Sequence, residues 1–158
     1  MAALSAASLL VACGAETAGG GTGADQPDPE PSATPAPSPT GPPWPDYPVD
    51  DYSYQLRVAC FCPYAGIPVT VSVQDGQVTE VAYARSLRGH SAGDRVSDSW
   101  LRVTIDDLID EANNSSYAEV DVIWKAEQGY PSSIKIDRAK NTIDDEVAYE
   151  IQRVRPST

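Results

Sequence analysis

The sequence is poor in positive charge. Eleven Lys and Arg stand against 23 Asp and Glu, which gives a formal net charge of −12. Nucleic-acid binding needs clustered Lys and Arg to neutralise phosphates, and the sequence shows no such cluster. We therefore expect no nucleic-acid partner. The excess of carboxylates is interpreted first as a source of solubility, with a specific cationic partner as the alternative.

Two further features are scarce. No run of about 18 apolar residues occurs, so no membrane-spanning helix is predicted. A zinc site takes about four ligands, whereas the chain has three cysteines and one histidine. We therefore predict no metal site and no cofactor.

Residues 14–48 lack Lys and Arg altogether and contain few large apolar side chains. Such a segment cannot bury enough apolar surface to offset the entropy lost on ordering. We predict that residues 14–50 form a disordered tether rich in Pro, Gly and Ala. Residues 51–158 then form one α+β globular domain.

The N-terminal segment offers a different signal. Residues 10–13, LVAC, resemble the lipobox of bacterial lipoproteins, in which a small residue precedes the cysteine. The resemblance implies that residues 1–13 are a lipoprotein signal segment and that Cys13 receives diacylglycerol. The expected location is the outer face of the bacterial cell membrane. An incidental cysteine in an Ala-rich tail is the alternative.

Alternation of apolar and polar residues predicts six half-buried strands. They cover Tyr52–Cys62, Ile67–Gln74, Gln77–Ala84, Glu119–Lys125, Ser132–Asp137 and Glu146–Val154. Asp75-Gly76 predicts a hairpin. A bulge or a longer turn near Thr79 is expected, because it would bring Val81 and Tyr83 onto the core face.

A short helix is predicted between the third and fourth strands. Thr104 can cap it, and apolar residues follow at helical spacing. The predicted fold is therefore α+β: a largely antiparallel, curved sheet of about six strands packed on this helix.

Five stretches carry a family resemblance: YSYQLRVACFCP, PVTVSVQDGQVTEV, TIDDLIDEA, GYPSSIKID and IDDEVAYEI. In this order, over Tyr52–Ile151, they resemble a family of bacterial lipoproteins and secreted domains known as domain of unknown function 6174. The resemblance implies no activity, substrate or catalytic residue.

Cys60 and Cys62 form a Cys-x-Cys pair. Residues two apart in a flat strand have Cα atoms about 6.6 Å apart, close to the upper end of disulfide geometry. Outside the cytoplasm disulfides persist, so we favour a structural disulfide. Free buried thiols, a redox pair and a metal role remain alternatives, and the redox pair is considered because a strained disulfide is more easily reduced.

Other polar groups are weaker candidates. His90 with Ser91 and Asp94 hints at a hydrolase, but the spacing lacks a nucleophile elbow. The helix carboxylates are interpreted as a solvated face, with acid-base chemistry as the alternative. The acidic turn offers oxygen ligands for weak calcium binding, although their order does not fit an EF-hand loop. These carboxylate and amide residues are Asp106, Asp107, Asp110 and Glu111 on the helix, and Asp137, Asn141, Asp144, Asp145 and Glu146 in the turn. Trp44, Tyr47, Tyr52 and Tyr54 are expected to hold the tether to the sheet, with stacking on a sugar or a partner as the alternative.

These observations favour a non-enzymatic binding module anchored to the cell envelope. Its expected partners are the membrane, through the lipid on Cys13, and an unidentified envelope protein or cell-wall ligand. An extracytoplasmic thiol-disulfide protein that uses Cys60 and Cys62 is the alternative function.

Overall fold

The computed structural model describes residues 39–87, 89–125, 127–142 and 144–157. Cys13, the signal segment and most of the predicted tether lie outside them. The strands are β1 (Tyr52–Ala59), β2 (Val69–Gln74), β3 (Gln77–Tyr83), β4 (Glu119–Ile123), β5 (Ser133–Asp137) and β6 (Glu146–Pro156). One helix, α1 (Ile105–Ala112), and a single 3-10 turn at Ser99–Leu101 lie between β3 and β4.

All six strands belong to one sheet, in the order β3-β2-β1-β6-β5-β4, and each neighbouring pair is antiparallel. The predicted bulge is confirmed, because the register shifts between Ser72↔Glu80 and Val73↔Val78 and leaves Thr79 as the extra residue. As a result Val81 and Tyr83 face the core, where 2% and 6% of their surfaces are exposed.

The predicted helix start is also confirmed. The Thr104 hydroxyl accepts a hydrogen bond from the Asp107 N–H at 3.0 Å, and the Asp107 carboxylate accepts one from the Thr104 N–H at 2.7 Å. This capping box satisfies donors that the first helical turn would otherwise leave unpaired. The buried face of α1 consists of Ile105, Leu108, Ile109 and Ala112.

The predicted α+β class, a sheet packed on a helix, is wrong. The described fold is mainly an open antiparallel sheet of six strands, and α1 has only eight residues. At a spacing of about 4.8 Å six strands span roughly 24 Å, whereas a helix is about 10 Å wide. Segments outside the strands and α1 therefore cover much of the apolar face, and they contribute the buried side chains of Tyr47, Val96 and Leu101.

Two buried tyrosines of β1 attach the helix to the sheet. The Tyr52 hydroxyl accepts a hydrogen bond from the Ile105 N–H at 2.9 Å, and the Tyr54 hydroxyl donates one to the Val103 carbonyl at 2.6 Å. Both side chains are 1% exposed. Because a buried polar group without a partner costs about 1 to 3 kcal/mol, these bonds place the start of α1 over β1.

The segment that precedes β1 packs against the domain. The Tyr47 N–H donates to the Asp106 carboxylate at 2.7 Å, and the Trp44 N–H donates to the Asn113 side-chain oxygen, also at 2.7 Å. The Trp44 ring stacks on Trp124 with centroids 6.0 Å apart. Trp44 and Tyr47 thus attach this segment to α1, to Asn113 at its end, and to Trp124, which follows β4.

Within the described part of the chain, no helix is long and apolar enough to cross a membrane.

The buried tyrosines predict alkaline sensitivity. Burial raises the pKa of Tyr52 from 10.0 to about 12, so the folded state holds the phenolic proton more tightly than the unfolded state does. Stability should be unaffected by this group below about pH 10 and should fall by up to about 2 to 3 kcal/mol as the pH rises to about 12. Urea unfolding between pH 8 and pH 12 measures this loss.

In the same experiment Tyr52→Phe should be less stable near neutral pH, because the Ile105 N–H loses its acceptor, yet should show a shallower loss at high pH. Tyr54→Phe should flatten the pH dependence in the same direction, since burial also raises the pKa of Tyr54. An identical alkaline slope in the wild type and both variants would contradict this account.

Candidate functional site

The outward face of the sheet contains a groove, here called the arginine groove. It has a volume of about 330 Å³ and is lined by Gln55, Leu56, Arg57, Pro68, Ala84, Arg85, Glu150, Gln152 and Arg153. Its floor is β1. One side is formed where β2 begins and β3 ends, and the other side is formed by β6. The groove therefore lies on the face opposite the hydrophobic core.

Regular strand pairing places the first arginine. Arg57 stands opposite Glu150 in the antiparallel pairing of β1 and β6, and its Nη2 lies 2.7 Å from Glu150 Oε1. About half of the Arg57 side chain and 38% of the Glu150 side chain are exposed. An ion pair this exposed contributes at most about 1 kcal/mol to stability, but it orients the guanidinium along the floor of the groove.

A β-bulge places the second arginine. The pairing of β1 with β6 shifts between Ser53↔Arg155 and Gln55↔Gln152, so β6 carries one extra residue. Arg153 sits there with φ of 52°, in the left-handed region. The bulge breaks the alternation of β6, so that Gln152 and Arg153 are both exposed and Val154 packs against the core.

The end of a strand places the third arginine. Arg85 follows β3, where the Ala84 N–H donates to the Pro68 carbonyl at 3.1 Å. This bond holds the two chain segments side by side at the rim of the groove. Arg85 is exposed, and neither it nor Arg153 forms an ion pair with another described residue.

The groove differs in charge from the rest of the protein. Three arginines against one glutamate give its lining a formal charge of +2 (3 − 1), whereas the whole chain carries −12. Sequence reasoning missed this site because Arg57, Arg85 and Arg153 are far apart along the chain. The one local signal was the break in alternation at Gln152 and Arg153, where the apolar positions of β6 stop being two residues apart.

Cys60 and Cys62 lie just beyond the end of β1. The strand was predicted to continue to Cys62, but it ends at Ala59, and the two Cα atoms are 5.3 Å apart. This is shorter than the extended spacing of about 6.6 Å, because the chain bends at Phe61 and brings the two sulfurs into direct contact. Both cysteines are half-buried rather than in the core, and Phe61 between them is 84% exposed.

The predicted His90, Ser91 and Asp94 group forms a folded loop. The Asp94 carboxylate accepts a hydrogen bond from the Ser91 N–H at 2.7 Å. The His90 ring stacks on Tyr83 with centroids 4.4 Å apart. The Asp94 carboxylate thus closes a turn, and the His90 imidazole covers Tyr83, which is a core residue.

The helix carboxylates take part in structural contacts. Asp107 completes the capping box, and Asp106 accepts the Tyr47 N–H. Burial raises the pKa of Asp106 above its ordinary value, although the Tyr47 N–H acts to lower it. Glu111 lies 2.5 Å from the Arg138 guanidinium and accepts the Tyr149 hydroxyl at 3.0 Å. Asp110 is exposed.

The acidic turn between β5 and β6 does not gather its carboxylates into a metal site in the described chain. Among these residues no group of three or more His, Cys, Asp or Glu side chains is placed to hold a metal ion. Asn141 and Asp144 have positive φ values of 65° and 76°, which Asn and Asp tolerate in tight turns. Asn141 and Asp144 thus allow the chain to reverse direction between β5 and β6.

The contact of Cys60 with Cys62 predicts resistance to alkylation. Protein prepared without a reductant should not react with iodoacetamide at either residue, whereas both should be labelled after reduction, as measured by peptide mass spectrometry. Cys60→Ala with Cys62→Ala should cost less than about 2 kcal/mol of stability, because the closed loop is very short. Labelling of both cysteines in unreduced native protein would refute the disulfide.

No curated protein and no solved structure matches the chain. A family model described as "Family of unknown function (DUF6174)" matches residues 39–156. The match covers the described sheet, the helix and the segment containing Trp44 and Tyr47. The chain therefore belongs to the family of unknown function DUF6174.

Proposed function

We propose that this protein is a non-enzymatic binding module of the bacterial cell envelope. A lipid on Cys13 holds it to the outer face of the cell membrane, and the segment that follows carries the domain away from the lipid surface. The lipobox-like residues and the composition of the tether support the location. The envelope partner binds the domain on the outward face of its sheet.

The observation that carries the binding role is the arginine groove. It is concave, and two of its three arginines make no ion pair with other described residues. By contrast Asp94, Asp106, Asp107 and Glu111, four of the side chains weighed as catalytic alternatives, accept hydrogen bonds that hold the fold together. Because these carboxylates hold the fold while the arginines of the groove are exposed, a binding role is favoured over acid-base catalysis.

The location predicts a lipid on Cys13. The wild-type protein should fractionate with membranes of its native cells, because diacylglycerol provides two acyl chains and hence stable anchoring. Cys13→Ser should shift the protein to the soluble fraction or leave an uncleaved precursor, whereas Cys60→Ser should leave the wild-type distribution unchanged. Mass spectrometry that finds an unmodified peptide running through Cys13 in the native envelope would overturn the anchor.

A thiol-disulfide redox protein is the second candidate. The observation that favours it is the position of Cys60 and Cys62 at an exposed chain reversal, where they line an open surface with Phe61 and Pro63. Reactive disulfides are accessible in this way.

The binding role predicts that this redox activity is absent. The wild type and Cys62→Ser should both leave the rate of insulin reduction by dithiothreitol unchanged, with thioredoxin as the positive control. An acceleration by the wild type that Cys62→Ser abolishes would establish the redox function in place of the binding role.

A further inference from the structure

We infer that the arginine groove is a site for a multivalent oxyanion, either a phosphate ester or a polycarboxylate. The inference rests on the proposed binding role and adds the chemical class of the ligand. The site consists of the guanidinium groups of Arg57, Arg85 and Arg153, with the side-chain amides of Gln55 and Gln152 beside them.

Donor chemistry identifies the ligand class. A guanidinium is planar, always charged and has donors only, so it matches the paired oxygens of carboxylate and phosphate. Charge-assisted hydrogen bonds of this kind are stronger than those between neutral groups. Gln55 and Gln152 pair across β1 and β6 and supply neutral amides to uncharged parts of a ligand.

The one carboxylate of the groove already has a partner. Glu150 Oε1 lies 2.7 Å from Arg57 Nη2, which leaves Arg85 and Arg153 as the cations without an ion pair among the described residues. An incoming oxyanion therefore meets two guanidinium groups that do not first have to break a salt bridge. Arg57 also lies at the floor, where the carboxylate of Glu150 offsets its charge.

The backbone of Arg153 is an independent indication. Its φ of 52° is strained for a residue with a Cβ, and strained residues of this kind concentrate at ligand sites. Without the bulge, Arg153 would follow Val147, Tyr149 and Ile151 onto the core face. The bulge instead exposes Arg153, which lines the groove, and leaves Val154 to pack on the core.

Size limits the ligand to a small group. A groove of about 330 Å³ lies at the lower end of the range for small-molecule sites. It accommodates a compact anion or one charged unit of a longer molecule. The surrounding negative charge of the protein disfavours anions elsewhere on the surface, so binding should be confined to this groove.

Isothermal titration of the full chain with inorganic pyrophosphate and with citrate, at constant ionic strength, tests the site and separates the two sources of oxyanion. We expect a dissociation constant of about 1 mM or tighter for at least one of them. Tight binding of pyrophosphate alone assigns a phosphate ligand, and tight binding of citrate alone assigns a polycarboxylate. Binding of both supports the shared oxyanion chemistry.

Three variants separate recognition from folding. Arg153→Gly should weaken binding about tenfold while its Tm stays equal to or above that of the wild type, because glycine adopts positive φ without strain. Arg85→Gln should weaken binding to a similar degree. Arg95→Gln is the matched control and should bind as the wild type does, since Arg95 pairs with Glu80 at 2.9 Å outside the groove.

Two results overturn the inference: no binding of either anion at 20 mM, or affinities that Arg85→Gln and Arg153→Gly leave unchanged. Neither result bears on the anchor at Cys13, which the fractionation experiment decides separately. A lower Tm in Arg153→Gly would contradict the strain argument, and Arg85→Gln would still decide the site.

Discussion

The structure depends on the two hydroxyl groups that β1 buries. Tyr52 and Tyr54 lie in the centre of the apolar face, and each must find a hydrogen-bond partner where water is excluded. They find the N–H of Ile105 and the carbonyl of Val103. These hydrogen bonds hold α1 and the segment just before it, which contains Val103, over the sheet. Because apolar and polar residues alternate along β1, the opposite face of the strand, which includes Arg57, is accessible to solvent.

Two bulges divide the side chains between these faces. At Thr79 the extra residue returns Val81 and Tyr83 to the core, so this bulge serves packing. At Arg153 the extra residue keeps Val154 against the core and turns a charged side chain outward. The second bulge uses a left-handed backbone at a residue that disfavours it. The same device thus completes the core between β2 and β3 and shapes a charged groove between β1 and β6.

Local patterns predicted much of this fold. The alternation of β2 and β3 indicated the bulge at Thr79, and Thr104 with its following carboxylates indicated the helix start. The fold class was wrong because helical spacing says nothing about how much of a sheet a helix covers. The groove was missed for a related reason, since Arg57 and Arg85 come together only through long-range strand pairing. A one-dimensional search for clustered charge cannot detect residues that meet in this way.

The domain is thus a one-sided sheet whose outward face bears a positively charged groove on an acidic protein, and this groove is the basis of the proposed binding role. The most direct test is an NMR titration of ¹⁵N-labelled protein with pyrophosphate or citrate at constant ionic strength. The account predicts that the shift changes centre on the backbone amides of Gln55, Arg57 and Arg153 and on the arginine Nε–H groups of the groove. Changes centred on Phe61 between the two cysteines, or no changes at all, would contradict it.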